Sequence, residues 1–499
     1  MFDGVCYTTI NCFQNFTLGK IINFYTTLHI YELGIQQTDW LLISRRMYNL
    51  KNKLSYLLRY YLICDCTFDN INERVTMTAV LLLFIFVAGY TAITFEHSLK
   101  INKAASALIT GVLCWVVCMV QSDNSGTVSD KLMHHLGDIA SILFFLLGAM
   151  TIVELVDSHD GFDIITQKIS TTSKQRLLLI ITAITFFLSA LLDNLTTAIV
   201  MCSLCSKILS EKEDRLWFAG MIVIAANAGG AWSPLGDVTT TMLWIGGQIT
   251  ALNIIEQLIL PSIAVCLVPA LLVAYRFKGK KIKPLEASAC SAVEKKEGRI
   301  MLFAGLGFLI FVPVFKTLTH LPPFMGMLLA LGLMWVLTTF LHKNKDSTYA
   351  ERFTVAKALQ RIDTPSILFF LGILLAVAAL QAAGLLKEMA GILSTALKND
   401  YLIGIALGLL SAVVDNVPLV AAAQGMYDLS QYPTDHVFWE FLALSTGCGG
   451  SMLIIGTAAG VAVMGIEQID FVWYLKKIGW LALVGFAAGV LVFMLQVYL

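Results

Sequence analysis

From Met77 to its end this chain alternates long apolar runs with short polar interruptions. The runs fall at roughly 77–95, 104–120, 138–156, 177–206, 216–245, 252–275, 300–316, 323–341, 364–397, 401–426, 437–465 and 472–498. Most approach or exceed the ~20 residues that a helix needs to cross a bilayer, so the pattern predicts membrane helices. Three runs, 216–245, 364–397 and 437–465, are interrupted by Gly, Pro or polar clusters. Such breaks survive at membrane depth only where the freed backbone groups face protein or a wet cavity. The expectation is an all-α polytopic membrane protein of about 11–13 spans.

The first 76 residues do not share the pattern and read as an appendage. Within them "RRMYNLKNKLSYLLRYYLI", residues 45–63, has the look of a basic amphipathic surface helix. The loop 276–299 carries eight Lys or Arg against three Glu, which places it in the cytoplasm by the positive-inside rule. It divides the hydrophobic part into 77–275 and 300–499.

These two parts repeat. "SILFFLLG" at 141–148 returns as "SILFFLG" at 366–372, and "SALLDNLTTA" at 189–198 returns as "SAVVDNVPLV" at 411–420. "NAGGAWSPLGD" at 227–237 returns as "GCGGSMLIIGT" at 447–457. Three matches in one order, at nearly one offset, mark an internal duplication. Broken apolar segments at corresponding places point to a transporter whose site lies between the repeats. An odd number of crossings per half would invert the second copy.

Composition agrees: 57% hydrophobic residues, 14% charged, mean hydropathy +0.76. The zero net charge suggests no nucleic-acid partner. The eleven cysteines are scattered, several within apolar runs, and read as small apolar residues. The expected partners are the lipid bilayer and small ions.

The chemistry sits in the repeated motifs. Asp193-Asn194 and Asp415-Asn416 lie in apolar surroundings, followed by Thr196-Thr197 and by Pro418. A carboxylate at bilayer depth costs about 3 kcal/mol by insertion scales. Its neighbours offer amide, hydroxyl and backbone oxygens, which are hard ligands suited to Na⁺ or Li⁺. The alternative is an Asp that only caps a half-helix. In "NAGGAWSPLGD", glycines and Pro234 break the helix while Asn227, Ser233 and Asp237 can turn toward the gap. Thr457 replaces Asp237 in the second half, so the copies differ chemically.

The ion- and proton-binding set expected from these motifs is Asp193, Asn194, Thr196, Asn227, Asp237, Asp415 and Asn416, with Ser233 and Thr457 in support. The metal ligands among them would be Asp193, Asn194, Asp237, Asp415 and Asn416. Glu154, in "GAMTIVELVDSHDGF", is either a further buried acid or an interface residue. Asp363 and Thr364 open a second-half span, where Asp363 can cap the helix. Ser411 and Ser451 are either hydroxyl ligands or interhelical contacts. The segments 177–206, 216–275, 364–386 and 401–475 hold no Lys or Arg. The buried acids therefore lack a permanent cation within them and can alternate between proton and metal ion.

At "GAMTIVELVDSHDGF", "FFLSALLDNLTTAIVM" and "AANAGGAWSPLGDVTTTMLW" the sequence resembles the NhaD-type sodium/proton antiporters of the ion transporter superfamily. The resemblance spans about 77–499. It implies two inverted-topology repeats, each with a re-entrant hairpin and an unwound helix, a scaffold that often dimerises, and a location in a bacterial inner membrane or a chloroplast envelope; the lack of a Ser- and Arg-rich, acid-poor transit peptide favours the bacterial inner membrane. It implies ion-site roles for Asp193, Asn194, Asn227, Asp237, Asp415 and Asn416, and supporting ones for Asp363, Thr364 and Ser411. The function expected is exchange of Na⁺ or Li⁺ for H⁺ by secondary active transport, with no cofactor. A sodium-coupled carrier of a small anion is the alternative within the superfamily. No nucleophile–base pair or HExxH supports an intramembrane hydrolase.

Overall fold

A computed structural model describes residues 70–499 apart from 95, 123, 163–170, 282–291, 344, 346–352 and 499. The candidate surface helix 45–63, and with it most of the expected appendage, lies outside the described residues. The regular elements described are all helical. In the first half the longer ones are α1 (Asn70–Thr94), α2 (Lys103–Gln121), α3 (Ser125–Ser158), α4 (Lys174–Ser189), α5 (Asn194–Ile208), α6 (Lys212–Ala231), α7 (Val238–Ile245) and α8 (Ala251–Arg276). In the second the longer ones are α9 (Ala292–Thr319), α10 (Pro323–His342), α11 (Thr364–Ala382), α12 (Leu385–Leu397), α13 (Asp400–Leu410), α14 (Asn416–Met426), α15 (Val437–Gly449), α16 (Ala458–Glu467) and α17 (Trp480–Tyr498).

Polar contacts at the helix ends define two faces. At one, Lys174 at the start of α4 donates to Glu211 (3.2 Å) and to Asp214, which flank the start of α6. There too Arg276, ending α8, pairs with Glu213 at 2.8 Å, and Arg215 pairs with Glu467, ending α16, at 3.1 Å. At the other, Tyr432 beyond α14 donates to Asp400 at the start of α13 (2.7 Å). Asp435 accepts from the Thr250 amide, just before α8, at 2.6 Å. Helix α8 joins the two sets, and its 26 residues span about 39 Å. The first set is therefore the face of the basic loop, and the second is the opposite membrane face.

Two hairpins follow from these contacts. Helix α4 starts, and α5 ends, at the basic-loop face, so their junction at 190–193 is a tip inside the membrane. Helices α13 and α14 likewise start and end at the opposite face, with their tip at 411–415. The α6/α7 pair crosses from the basic-loop face outward, while α15/α16 returns. Each half thus crosses five times: α1, α2, α3, α6/α7 and α8, then α9, α10, α11, α15/α16 and α17. Five is odd, so the second copy is inverted.

Eight described helices are long and apolar enough to cross alone, or nine if α12 and α13, bent by 114°, form one span. They do not form one span, because α13 is the incoming arm of the second hairpin. The broken pairs α6/α7 and α15/α16 supply the remaining crossings. Ten crossings are fewer than the expected 11–13 spans, because the apolar runs at 177–206 and 401–426 turn back as hairpins instead of crossing.

Close packing follows the duplication. A Cβ added at Gly229 would stand 2.2 Å from the Phe186 carbonyl, and one at Gly449, 220 positions on, 2.0 Å from that of Gly408. Gly236 lies as tightly on the Ser189 carbonyl as Gly456 does on those of Ser411 and Ala412. Each hairpin is thus pressed backbone to backbone against the broken helix of its own half, which only glycine permits. Between halves, α2 packs on α11 as α10 does on α3, and α5 on α16 as α14 does on α7.

Candidate ion-binding site

Four half-helix N-termini converge where the halves meet, each with its cap drawn from a repeated motif. Asp193 caps α5 and accepts from the Thr196 amide and hydroxyl, each at 2.7 Å. Asp237 caps α7 through the Thr239 amide at 3.3 Å. Asp415 caps α14 through the Val417 amide at 3.2 Å. Thr457 caps α16 through the Gly460 amide at 3.2 Å. Pro418 falls in the first turn of α14, where a missing N–H leaves no helical bond unmade.

Amides join these caps across the repeat interface. Asn227 is fully buried. Its Oδ1 accepts from Asn194 at 3.1 Å, while its Nδ2 donates to Ser451 (2.9 Å) and Thr457 (3.1 Å) of the other half. Asn416 donates to Asp237 Oδ2 at 3.3 Å, again between halves. Gly447, which replaces Asn227 in the second copy, leaves room beside that same oxygen: a Cβ there would lie 3.3 Å from it. Asp237 and Asn416 are buried, whereas Asp193 and Asp415 are half-buried. Asp237 is within electrostatic reach of both other acids.

The hydroxyls hold the frame. Ser233 donates to the Ala190 carbonyl of the first hairpin tip (2.5 Å), and Ser189 to the Ala226 carbonyl (2.6 Å). Thr241 donates to the Pro234 carbonyl at 2.8 Å, within the break. These bonds satisfy carbonyls that unwinding would leave bare at membrane depth.

Comparison with known proteins agrees with this architecture. The family described as citrate transporter (CitMHS) matches residues 74–447. Sodium/proton antiporter 1 of Arabidopsis thaliana is 48% identical over 413 residues, covering 82% of this chain and 71% of that protein. The Na⁺/H⁺ antiporter NhaD of Vibrio cholerae is 31% identical over 443 residues, covering 83% and 91%. The chain belongs to this family, as an NhaD-type member of the ion transporter superfamily. A solved structure, that of the YdaH transporter of Alcanivorax borkumensis, shares the fold at TM-score 0.50 and 11% identity, over 84% of this chain and 98% of that one.

Within this NhaD-type fold, Asp193, Asn194, Thr196, Asn227, Asp237, Asp415, Asn416, Ser233 and Thr457 all fall at the tips and breaks. Other expected residues lie elsewhere. Glu154 accepts from Ser158 at 3.2 Å and faces Arg361 at 3.6 Å, at the basic-loop face. Asp363 is exposed and caps α11, holding the Ser366 amide at 3.2 Å and its hydroxyl. Thr364 is the exposed first residue of that helix. Ser411, by contrast, is fully buried at the second hairpin tip, where it donates to the Gly408 carbonyl at 2.8 Å.

The structure also brings in groups that the motifs did not announce. Lys103, opening α2, lies close enough for its charge to act on Asp415. Tyr90 of α1 has a buried hydroxyl alongside the same residue. A positive charge does reach the acids, from outside the segments where none was found.

Proposed function

We propose that this chain exchanges Na⁺ or Li⁺ for H⁺ by alternating access, with Asp193, Asp237 and Asp415 as the shared binding groups for metal ion and proton. The charge balance at the converging caps carries the reading. Each helix N-terminus contributes roughly +0.5 of an elementary charge. Four such ends alone would invite an anion, as in a carrier of citrate. Three of the four caps are Asp, however, and their ionised carboxylates cancel the four dipoles together with Lys103, whose charge reaches Asp415. A tricarboxylate therefore finds no net positive charge, while the carboxylate and amide oxygens offer ligands to a monovalent cation or to protons. The antiporter names of the plant and bacterial relatives support the same choice.

The caps also suggest how each ion binds. Asp415 is held by one amide and has more free oxygen lone pairs than Asp193, whose two oxygens are both engaged. A cation at Asp415 and Asp237 would take the Asn416 carbonyl as a further ligand. Protons displace it by neutralising the same oxygens, so the three acids titrate as a coupled set. The hairpin tips enter from opposite faces, so rocking one repeat against the other opens the acids to each side in turn. No cofactor is required.

The test uses everted vesicles from a host without sodium antiporters, energised and followed with a pH-gradient dye. Na⁺ and Li⁺ should collapse the gradient, and Asp193→Asn or Asp415→Asn should abolish the response in folded protein. Exchange retained in both variants would overturn the assignment. A homodimer is proposed from the family resemblance alone, and cross-linking in native membranes checks it. A bacterial inner membrane is the location proposed from the sequence. The chloroplast-envelope members of the family that the sequence resembles, with the higher identity to Arabidopsis proteins, support a chloroplast envelope as a second reading, and membrane fractionation separates the two.

A further inference from the structure

Helix α3 has 34 residues and is about 51 Å long, well beyond the ~30 Å hydrocarbon core. Its apolar part runs to the basic-loop face, so its polar first turns project at the opposite face. Lys131, in those turns, donates to the Ala382 carbonyl at the end of α11 (3.2 Å). One turn further on stand His134, His135 and Asp138.

One ligand atom from each of these three side chains lies within 4.8 Å of the others. His134 Nδ1 is 3.5 Å from Asp138 Oδ2. Two ligands bound tetrahedrally to Zn²⁺ at about 2.0–2.1 Å are separated by about 3.4 Å. This pair therefore already stands at the required separation, and modest side-chain rotation brings in His135. The ring of His135 leans on Trp115 of α2 (centroids 6.2 Å apart), while His134 and Asp138 are largely exposed. The i, i+4 relation of His134 to Asp138 sets both on one helix face. Two imidazoles and a carboxylate, with an open fourth position, suit a borderline transition-metal ion and not Na⁺, which wants oxygen ligands alone. Lys131 donates to the α11 carbonyl, which holds its ammonium off the three ligands, although its charge still reaches His135.

We propose that His134, His135 and Asp138 form a binding site for a divalent transition-metal ion of the Zn²⁺ class, on the face opposite the basic loop and separate from the transport site. The ion cross-links two turns of α3 at the point where that helix touches α2 and the end of α11.

The full-length protein in detergent or nanodiscs, stripped with chelator, is titrated with Zn²⁺ by calorimetry, and with Co²⁺ as a spectroscopic probe of tetrahedral geometry. Wild type should show one more metal equivalent than the double variant His134→Ala/His135→Ala. Asp138→Asn should weaken that equivalent at least tenfold. The extra Co²⁺ should give the intense visible bands of a tetrahedral centre. His134 and Asp138 are exposed and His135 is half-buried, so the variants should fold, which a monodisperse size-exclusion profile with unchanged helical content verifies. Equal stoichiometry and affinity in wild type and double variant, with exchange intact, would overturn the site. Loss of exchange in the double variant would refute its separation from transport.

Discussion

Replacing Asn227 with Ala tests the central claim that one amide joins the halves at the site. Its side chain is fully buried and makes three hydrogen bonds, one within the first half and two into the second. A buried hydrogen bond contributes about 1 kcal/mol net in water-soluble proteins and about 0.6 kcal/mol between membrane helices. Three such bonds give about 2–3 kcal/mol. The Asn194 amide group also loses the partner described here, and a buried donor left unpaired adds about 1–3 kcal/mol. The expected loss is therefore about 3–6 kcal/mol, or roughly two to four orders of magnitude in the folding equilibrium. Unfolding by SDS or heat in bicelles measures it. Asn227→Asp keeps an acceptor for Asn194 and for the hydroxyls of Ser451 and Thr457 but should recover only part of the stability, since a fourth buried carboxylate is costly at this depth. It should still impair exchange, because it adds a fourth acid. A double-mutant cycle of Asn227→Ala with Thr457→Ala should show coupling of about 0.5 kcal/mol or more. If Asn227→Ala stays within about 0.5 kcal/mol of wild type and the cycle shows no coupling, the halves are not joined through this residue.

The remaining predictions concern the frame. Gly449→Ala and Gly229→Ala should each cost about 1–3 kcal/mol or more and slow exchange, since the new methyl meets a backbone carbonyl that cannot turn away; wild-type melting in both would refute the pressed hairpins. Arg215→Ala leaves Glu467 buried without its guanidinium and should destabilise by about 2–3 kcal/mol, part of which Glu467→Gln restores; additive effects of the two changes would count against the pair. Burial lowers the His159 imidazole from its ordinary 6.5 to about 4, beside His342 and Phe353. The folded state thus favours the neutral ring, and its contribution, present above pH 6.5, is lost as pH falls toward 4. At full protonation that amounts to about 3 kcal/mol, and the acid slope of stability should flatten in His159→Gln.

Much of the site was legible because duplication wrote it twice. Asp193 and Asp415 stand 222 positions apart, and at the nearly equal offset of 220 Gly229 aligns with Gly449 and Gly236 with Gly456, which make the same contacts in space. Hydropathy located most spans for the simpler reason that apolar length is the whole physical requirement. It could not show whether 177–206 crosses or turns back, since both readings bury the same residues. That was decided by contacts such as Lys174 with Asp214, which depend on distant parts of the chain meeting at a helix end. Glu154 and Asp363 have site-like residue types near span ends, yet a partner (Arg361) and a capped amide (Ser366) occupy them at the surface. Lys103 escaped notice because only tertiary packing sets it near Asp415.

The difference between Asp237 and Thr457 has a consequence for where this machine idles. Two identical copies, related by the inversion, would rest equally often open to either side when no gradient acts. Here α14 meets an acid on α7, through Asn416, while α5 meets a hydroxyl on α16 through Asn227. The two orientations therefore differ in energy, and each 1.4 kcal/mol of that difference is a tenfold bias in occupancy. Under the alternating-access exchange proposed above, divergence of a duplicated segment thus gives a symmetric frame a preferred resting side.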